Sequence, residues 1–179
     1  MDEKFQQLML TLAAESQIFL YIANYAIVGN LLLLVLALVY EKKLNSITIS
    51  FFVICLSLTM SRLLSPLLYE IASGPTVLHK FAWYGGWILI NVFCIWFIYY
   101  MHWLQKLRAT QLSMVTSLSF IAMSLIQAID FIDRATLQSN FFADAYQILI
   151  AVVNLCSLPL SAYFWLVEIR KRQLIYTGA

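Results

Sequence analysis

The feature of this sequence that most constrains its fold is a series of apolar runs, each long enough to cross a lipid bilayer as one helix. The run from Ile18 to Tyr40, for example, contains no Asp, Glu, Lys or Arg. A helix rises about 1.5 Å per residue, so about 20 residues cross the roughly 30 Å of hydrocarbon. The sequence predicts five such segments, over residues 17–40, 44–69, 81–104, 110–132 and 144–168.

Backbone chemistry decides which secondary structure these segments adopt. Hydrocarbon offers peptide groups no hydrogen-bonding partner, so only helices and closed β-barrels cross it. Barrel strands would appear as alternating stretches of about ten residues, whereas these segments are almost continuously apolar. Charged or turn-forming stretches separate them, and we find no internal repeat. We therefore predict an all-α polytopic membrane protein, with one transmembrane bundle of five helices as a single domain over residues 1–179.

The composition agrees with a membrane protein and excludes several other classes. Hydrophobic residues make up 63% of the chain and charged residues 11%, against about 45–50% and 25% in soluble domains. The net charge of +2 is small, and the basic residues stand beside apolar segments in pairs and triplets. Such a pattern does not point to nucleic acid. We expect the lipid bilayer as the surroundings and no nucleic-acid partner.

The N-terminal residues carry a weaker signal. Phe5, Leu8, Met9 and Leu12 recur at the spacing of one helical face, which predicts a short N-terminal interfacial helix on the membrane surface. The alternative is that this stretch extends the first transmembrane helix or frays. No basic segment precedes the first apolar run and no small-residue cleavage site follows it, so we expect that run to be retained rather than cleaved.

The distribution of Lys and Arg predicts the orientation in the membrane. Seven basic residues fall on one side of the predicted bundle: Lys42, Lys43, Lys106, Arg108, Arg170, Lys171 and Arg172. Only Lys4, Lys80 and Arg134 fall on the other side. Basic loops stay in the cytoplasm. We therefore predict an integral protein of the plasma (inner) membrane, with its N-terminus outside and its C-terminus in the cytoplasm.

Arg62 is the one basic residue inside a predicted transmembrane segment. Counted from Leu44, it lies about 27 Å across, in the outer leaflet. A guanidinium at such depth costs several kcal/mol unless it is paired, hydrated or able to reach the surface. We expect Asp130, rather than Glu70, to be its partner. The pair would line a solute path or gate a switch; the alternatives are a structural ion pair and an arginine that extends to the interface.

Further polar residues at membrane depth form two groups. Ser57, Ser61 and Ser65 follow at steps of four, a spacing that lets two helix backbones approach closely. The other candidate buried or transport residues are Asn24, Asn91, Gln127, Gln147, Asn154 and Ser161. Such residues line a water-filled cavity in some proteins and form interhelical hydrogen bonds in others, worth about 0.6 kcal/mol per contact. The sequence leaves both interpretations open.

No catalytic, cofactor-binding or metal site is predicted. His79 and His102 are expected near opposite membrane faces, which excludes a shared haem or metal, and each is interpreted as an interfacial hydrogen bonder. The cysteines, at positions 55, 94 and 156, lie in apolar runs without CxxC spacing. The chain also lacks the short motifs of known catalytic or phosphate-binding sites.

Two functional hypotheses follow. The first is a non-enzymatic plasma-membrane protein that acts as a sensory or signalling module, or as a membrane-embedded subunit that packs against partner helices. The alternative is a small homo-oligomeric ion channel or solute transporter, with the polar faces of the fourth and fifth helices inside it and an Arg62–Asp130 pair near its outer mouth. Self-association or a partner membrane protein is expected in either case.

The predicted orientation is tested by cysteine labelling in intact cells. In a background without the native cysteines, Gly74→Cys should react with a membrane-impermeant maleimide and Ala109→Cys should not, because the two positions lie in loops on opposite sides. Permeabilised cells provide the control in which both positions react. Reversed labelling would overturn the orientation.

Overall fold

The described part of the chain, residues 24–74, 76–133 and 143–177 of a computed structural model, contains helices and no strand. Within these ranges the helices are α1 (Asn24–Glu41), α2 (Ser46–Ala72), α3 (Val77–Leu104), α4 (Gln111–Ile132) and α5 (Ala143–Thr177). All five are long and apolar enough to cross a membrane. This confirms the predicted all-α architecture and agrees with a five-helix bundle. The predicted helix around Phe5 lies outside the described residues.

Local side-chain chemistry fixes where α2 and α4 begin. Asn45 caps α2: its Oδ1 atom accepts hydrogen bonds from the backbone N–H groups of Ile47 and Thr48, each at 3.0 Å. The Thr48 hydroxyl accepts in return from the Asn45 N–H at 2.8 Å, which completes a capping box. Thr110 caps α4 by accepting from the Ser113 N–H at 3.4 Å. Each cap satisfies donors that the first helical turn leaves free.

The connections into α2 and α4 each contain one residue in the left-handed backbone conformation. Lys42 follows α1 and Lys106 follows α3, and both adopt the left-handed conformation with φ of 51°. A left-handed residue just after a helix ends it and turns the chain sharply. Only a few residues are then needed before Asn45 and Thr110 start the next helix. Short connections therefore join α1 to α2 and α3 to α4, and the helices of each pair run antiparallel.

Contacts between helix ends define one end of the bundle. The Arg172 guanidinium at the end of α5 forms an ion pair with Glu41 at the end of α1, with 2.6 Å between Nη1 and Oε2. Lys171 donates to Gln111 at the start of α4 at 3.1 Å. The seven basic residues named above thus belong to helix ends and loops on one side. We call this side the basic end and the opposite side the far end.

The first half of α2 lies at the centre of the bundle. All of its buried residues fall between Ser46 and Ser57. One core cluster consists of Ala37, Ile47, Phe51, Leu112 and Trp165, and a second of Ile49, Val53, Cys94, Ile98 and Phe120. The two clusters flank α2, because side chains from every other helix pack against its first half. The main core is therefore nearer the basic end.

The second half of α2, residues 58–72, has a different environment, and we call it the distal segment. None of its residues is buried. It packs against α3: Tyr69 of the distal segment and Trp83 of α3 lie edge to face, with 6.4 Å between ring centroids. Leu68 packs so closely on Gly86 that a Cβ atom there would lie 2.9 Å from a Leu68 methyl group. One side of the distal segment is thus packed and the other is open.

The central position of α2 predicts a large contrast between two adjacent phenylalanines. Phe51 is fully buried and packs edge to face on Trp165 at 5.8 Å, whereas Phe52 is 47% exposed. Phe51→Ala should lower the free energy of unfolding in mixed detergent micelles by about 3 to 5 kcal/mol, because it leaves a cavity. Phe52→Ala is the matched control and should cost much less. Equal losses would contradict the burial of α2.

Candidate functional site

A buried tyrosine–aspartate pair joins α3 to α4 near the far end. The Tyr84 hydroxyl donates a hydrogen bond to the Asp130 Oδ2 atom at 2.6 Å. Tyr84 is 6% exposed and Asp130 is 1% exposed. A carboxyl group away from water is tolerated only with hydrogen-bonding partners, and bonds to such groups are short and strong. The pair therefore fixes the spacing of α3 and α4.

A second tyrosine brings α5 into the same region. The Tyr146 hydroxyl donates to Gln127 Oε1 at 3.0 Å, and the rings of Tyr84 and Tyr146 lie edge to face at 6.3 Å. Gln127 is buried and stands one turn before Asp130 on α4. We call Tyr84, Gln127, Asp130 and Tyr146 the far-end cluster. It connects three helices through side chains alone.

The basic end contains a second buried network, centred on His102. Its Nδ1 atom lies 2.7 Å from the Ile98 carbonyl oxygen. Because a carbonyl only accepts, Nδ1 carries a hydrogen. Nε2 lies 2.7 Å from the Ser46 hydroxyl, and in the neutral ring it accepts the hydroxyl hydrogen. The end of α3 is thereby bonded to the first turn of α2.

Thr110 extends this network to α4. Its backbone N–H donates to Ser46 Oγ at 3.0 Å, and the two hydroxyl oxygens lie 2.9 Å apart. We call Ser46, His102 and Thr110 the basic-end cluster. Ser46 is 4% exposed and His102 is 8% exposed. The cluster holds the two helix starts and the end of α3 in one arrangement, using only neutral groups and a histidine.

The structure does not bring Arg62 and Asp130 together. Asp130 lies inside the bundle and accepts from Tyr84, while Arg62 is exposed on the distal segment. Within the described ranges Arg62 forms no ion pair, with Glu70 or any other carboxylate. The two residues are predicted at similar depth, but Arg62 lies on the open side of the distal segment. Its side chain therefore does not face Asp130, which lies inside the bundle.

The other predicted candidates lie apart from one another. Asn91 and Ser161 are buried, Asn154 is half-buried, and Asn24 is exposed beside a shallow groove on α1. The Gln147 side chain lies outside the described part of the structure. Of the predicted amides and carboxyls, only Gln127 and Asp130 meet in one cluster.

The predicted serine stripe is only partly inside the bundle. Ser57 is buried, and Ser61 and Ser65 are half-buried. A tight contact between α2 and α3 is formed instead by the Leu68 side chain on Gly86.

Several polar residues were missed by sequence reasoning. Asn30 is fully buried, and its Nδ2 atom donates to the Ala26 carbonyl at 2.8 Å and to Ser157 Oγ at 3.4 Å, which joins α1 to α5. An amide in an otherwise apolar run could have identified Asn30 from the sequence as a candidate buried polar residue. The sequence analysis did not select Tyr84, and no pattern in the sequence indicated that Ser46 and His102 are neighbours.

Comparisons of the chain with protein-family models, curated proteins and solved structures find no match. Within residues 24–74, 76–133 and 143–177, no group of three or more His, Cys, Asp or Glu side chains is arranged to hold a metal ion. The geometry of the two clusters and of the exposed Arg62 is therefore the basis for a functional proposal.

The far-end cluster predicts a specific cost for removing one hydroxyl group. Tyr84→Phe should lower the free energy of unfolding by about 1 to 3 kcal/mol, because the buried Asp130 loses a donor. Tyr99→Phe is the control, since Tyr99 is 71% exposed, and it should leave stability nearly unchanged. A double-mutant cycle with Asp130→Asn should show coupling above about 0.5 kcal/mol; strictly additive losses would contradict the bond.

Proposed function

We propose that this protein is a non-enzymatic integral plasma-membrane protein, with its N-terminus outside, that acts as a sensory or signalling module or as a membrane-embedded subunit. In either role it works by packing against partner membrane helices. One observation carries the proposal: Arg62 is exposed on the open side of the distal segment, at a depth where lipid cannot satisfy its charge.

The depth follows from helix geometry. Arg62 stands sixteen residues after Ser46 and ten residues before Ala72. These intervals correspond to about 24 Å from the basic end of α2 and about 15 Å from its far end. In a membrane-spanning α2 the guanidinium starts well inside the hydrocarbon. An unpaired arginine costs about 2.5 to 3.5 kcal/mol at the centre of a membrane-spanning helix, and a long basic side chain nearer a helix end lowers this cost by reaching the interface.

The exposed neighbours of Arg62 on the distal segment are apolar. Met60, Leu63 and Leu67 are 36%, 69% and 53% exposed, and lipid chains cover such side chains at no cost. The Arg62 guanidinium gains nothing from lipid chains. A partner that covers this surface and supplies polar contacts would remove the cost. We therefore propose the open side of the distal segment as the surface that a partner helix occupies.

The interior polar groups support a packing role rather than a solute path. The far-end and basic-end clusters lie at opposite ends, and hydrogen bonds within each connect neighbouring helices. The channel or transporter alternative draws support from buried Asn91 and Ser161, which lie between these ends. In that alternative, several copies would enclose the polar faces of α4 and α5.

The Ser46–His102 contact also bears on catalysis. A serine hydroxyl 2.7 Å from an imidazole nitrogen has the spacing of a nucleophile and its base. Ser46, however, is 4% exposed, and its oxygen already accepts from the Thr110 N–H. We assign the pair to holding helix ends together, which agrees with a non-enzymatic function.

The proposal is tested by photocrosslinking in the native membrane. A photoreactive residue replaces Leu63, beside Arg62, or Leu89 on α3, which is 70% exposed and lies at about the same depth. We expect position 63 to form a defined protein adduct and position 89 to label lipid. Equal lipid labelling at both positions would contradict a partner on the distal segment.

A flux measurement separates the proposal from its alternative. The purified chain, reconstituted alone into liposomes, should pass neither ions nor small solutes across a range of pH. Flux that changes in Arg62→Ala would instead favour the channel or transporter.

A further inference from the structure

We infer that the partner is a different membrane protein, one of whose transmembrane helices presents an Asp or Glu side chain to Arg62. This inference rests on the function proposed above and specifies the chemistry of the partner at the same surface. Its basis is charge: a guanidinium inside hydrocarbon is best satisfied by a carboxylate, which it binds through two parallel hydrogen bonds.

The chain's own described carboxyl groups do not meet this need. Asp130 and Asp133 are both buried, and Asp130 is bonded to Tyr84. Glu41 and Glu168 lie at the basic end beside Arg172. Glu70 is on the distal segment but eight residues further along, which is about 12 Å along the helix axis. Among the residues that the structure describes, no carboxylate forms an ion pair with Arg62.

A second copy of the chain is also a poor match. Two copies with the same orientation in the membrane place their Arg62 side chains at equal depth, so a two-fold dimer through the distal segments brings like charges together. A head-to-tail ring would need an acidic residue exposed elsewhere at that depth. The exposed Glu70 lies nearer the far end, so the described surface offers no such residue. Because the described residues supply no such carboxylate, we assign it to another chain.

The shape of the surface favours a helix as the occupant. Ser61 and Ser65 flank Arg62 and are half-buried. Small side chains at i and i+4 allow a second helix to approach closely. Close approach brings a carboxylate within reach of the guanidinium and excludes lipid from the pair. Arg62 thus supplies the charge, and the two small serine side chains allow the partner helix to approach closely.

The test uses synthetic transmembrane helices of Leu and Ala as probes. One carries a single Glu about 15 Å from its far end, one carries Gln at that position, and a third carries the Glu two turns closer to the basic end. Binding to the fluorescently labelled full chain is measured by energy transfer in zwitterionic bilayers. We expect the first helix to bind at least about tenfold more tightly than the other two.

Variants assign this preference to the surface. Arg62→Leu should abolish it and Arg62→Lys should retain part of it. The matched control is the double variant Arg62→Leu/Leu89→Arg, which moves the charge to α3 at similar depth. Because α3 there lacks the flanking serines, this variant should not regain the preference. Full recovery would show that charge alone attracts the probe, and would overturn the proposed surface.

The remaining outcomes are equally decisive. Equal binding of the Glu and Gln helices overturns the inference, and a protein adduct at position 63 would then leave the proposed function standing without an ionic contact. A preference that disappears when anionic phospholipid is added assigns Arg62 to a lipid phosphate and also overturns the inference. Absence of the adduct at position 63 removes the proposed function itself. Urea or detergent unfolding of each variant confirms that it is folded.

Discussion

The structure depends on one constraint: polar groups that are kept from water must find hydrogen-bonding partners, and this holds in a buried core as in a membrane-spanning helix. The far-end and basic-end clusters satisfy this requirement within the chain. Tyr84 and Asp130 bond across α3 and α4, and His102 and Ser46 bond across α3 and α2. Because each bond has its donor and acceptor on different helices, satisfying the polar groups also sets the arrangement of the helices.

The same constraint separates the two halves of α2. Its first half is surrounded by side chains from the other helices, and its caps and hydroxyls are bonded at the basic end. Its second half has neighbours on one side only. Arg62 lies there, exposed, so the half of α2 that has no buried residue carries the group that most needs an external partner. This asymmetry connects the fold to the proposed packing function.

Sequence reasoning succeeded where the argument needed only position along a helix. It located the five apolar segments, with every described helix end within four residues of its prediction except the end of α5, which runs nine residues further. It also selected Asp130 and Gln127 as buried polar residues. It failed for the Arg62–Asp130 pair, because depth along the bundle is readable from sequence but direction around a helix axis relative to its neighbours is not. Ser46 and His102 are 56 residues apart in the chain, and neither has a local pattern that indicates the other.

Within the described residues, the sequence by itself determined the five helices that are long and apolar enough to cross a membrane, since apolar length and backbone hydrogen bonding are local properties. It also determined that basic residues gather at one end, because alternate loops of antiparallel helices lie on the same side. Only the tertiary structure decided which polar groups meet. The physical reason is that a hydrogen bond or ion pair needs two side chains within about 3 Å, and helix rotation and tilt, set by packing of the whole core, decide that distance.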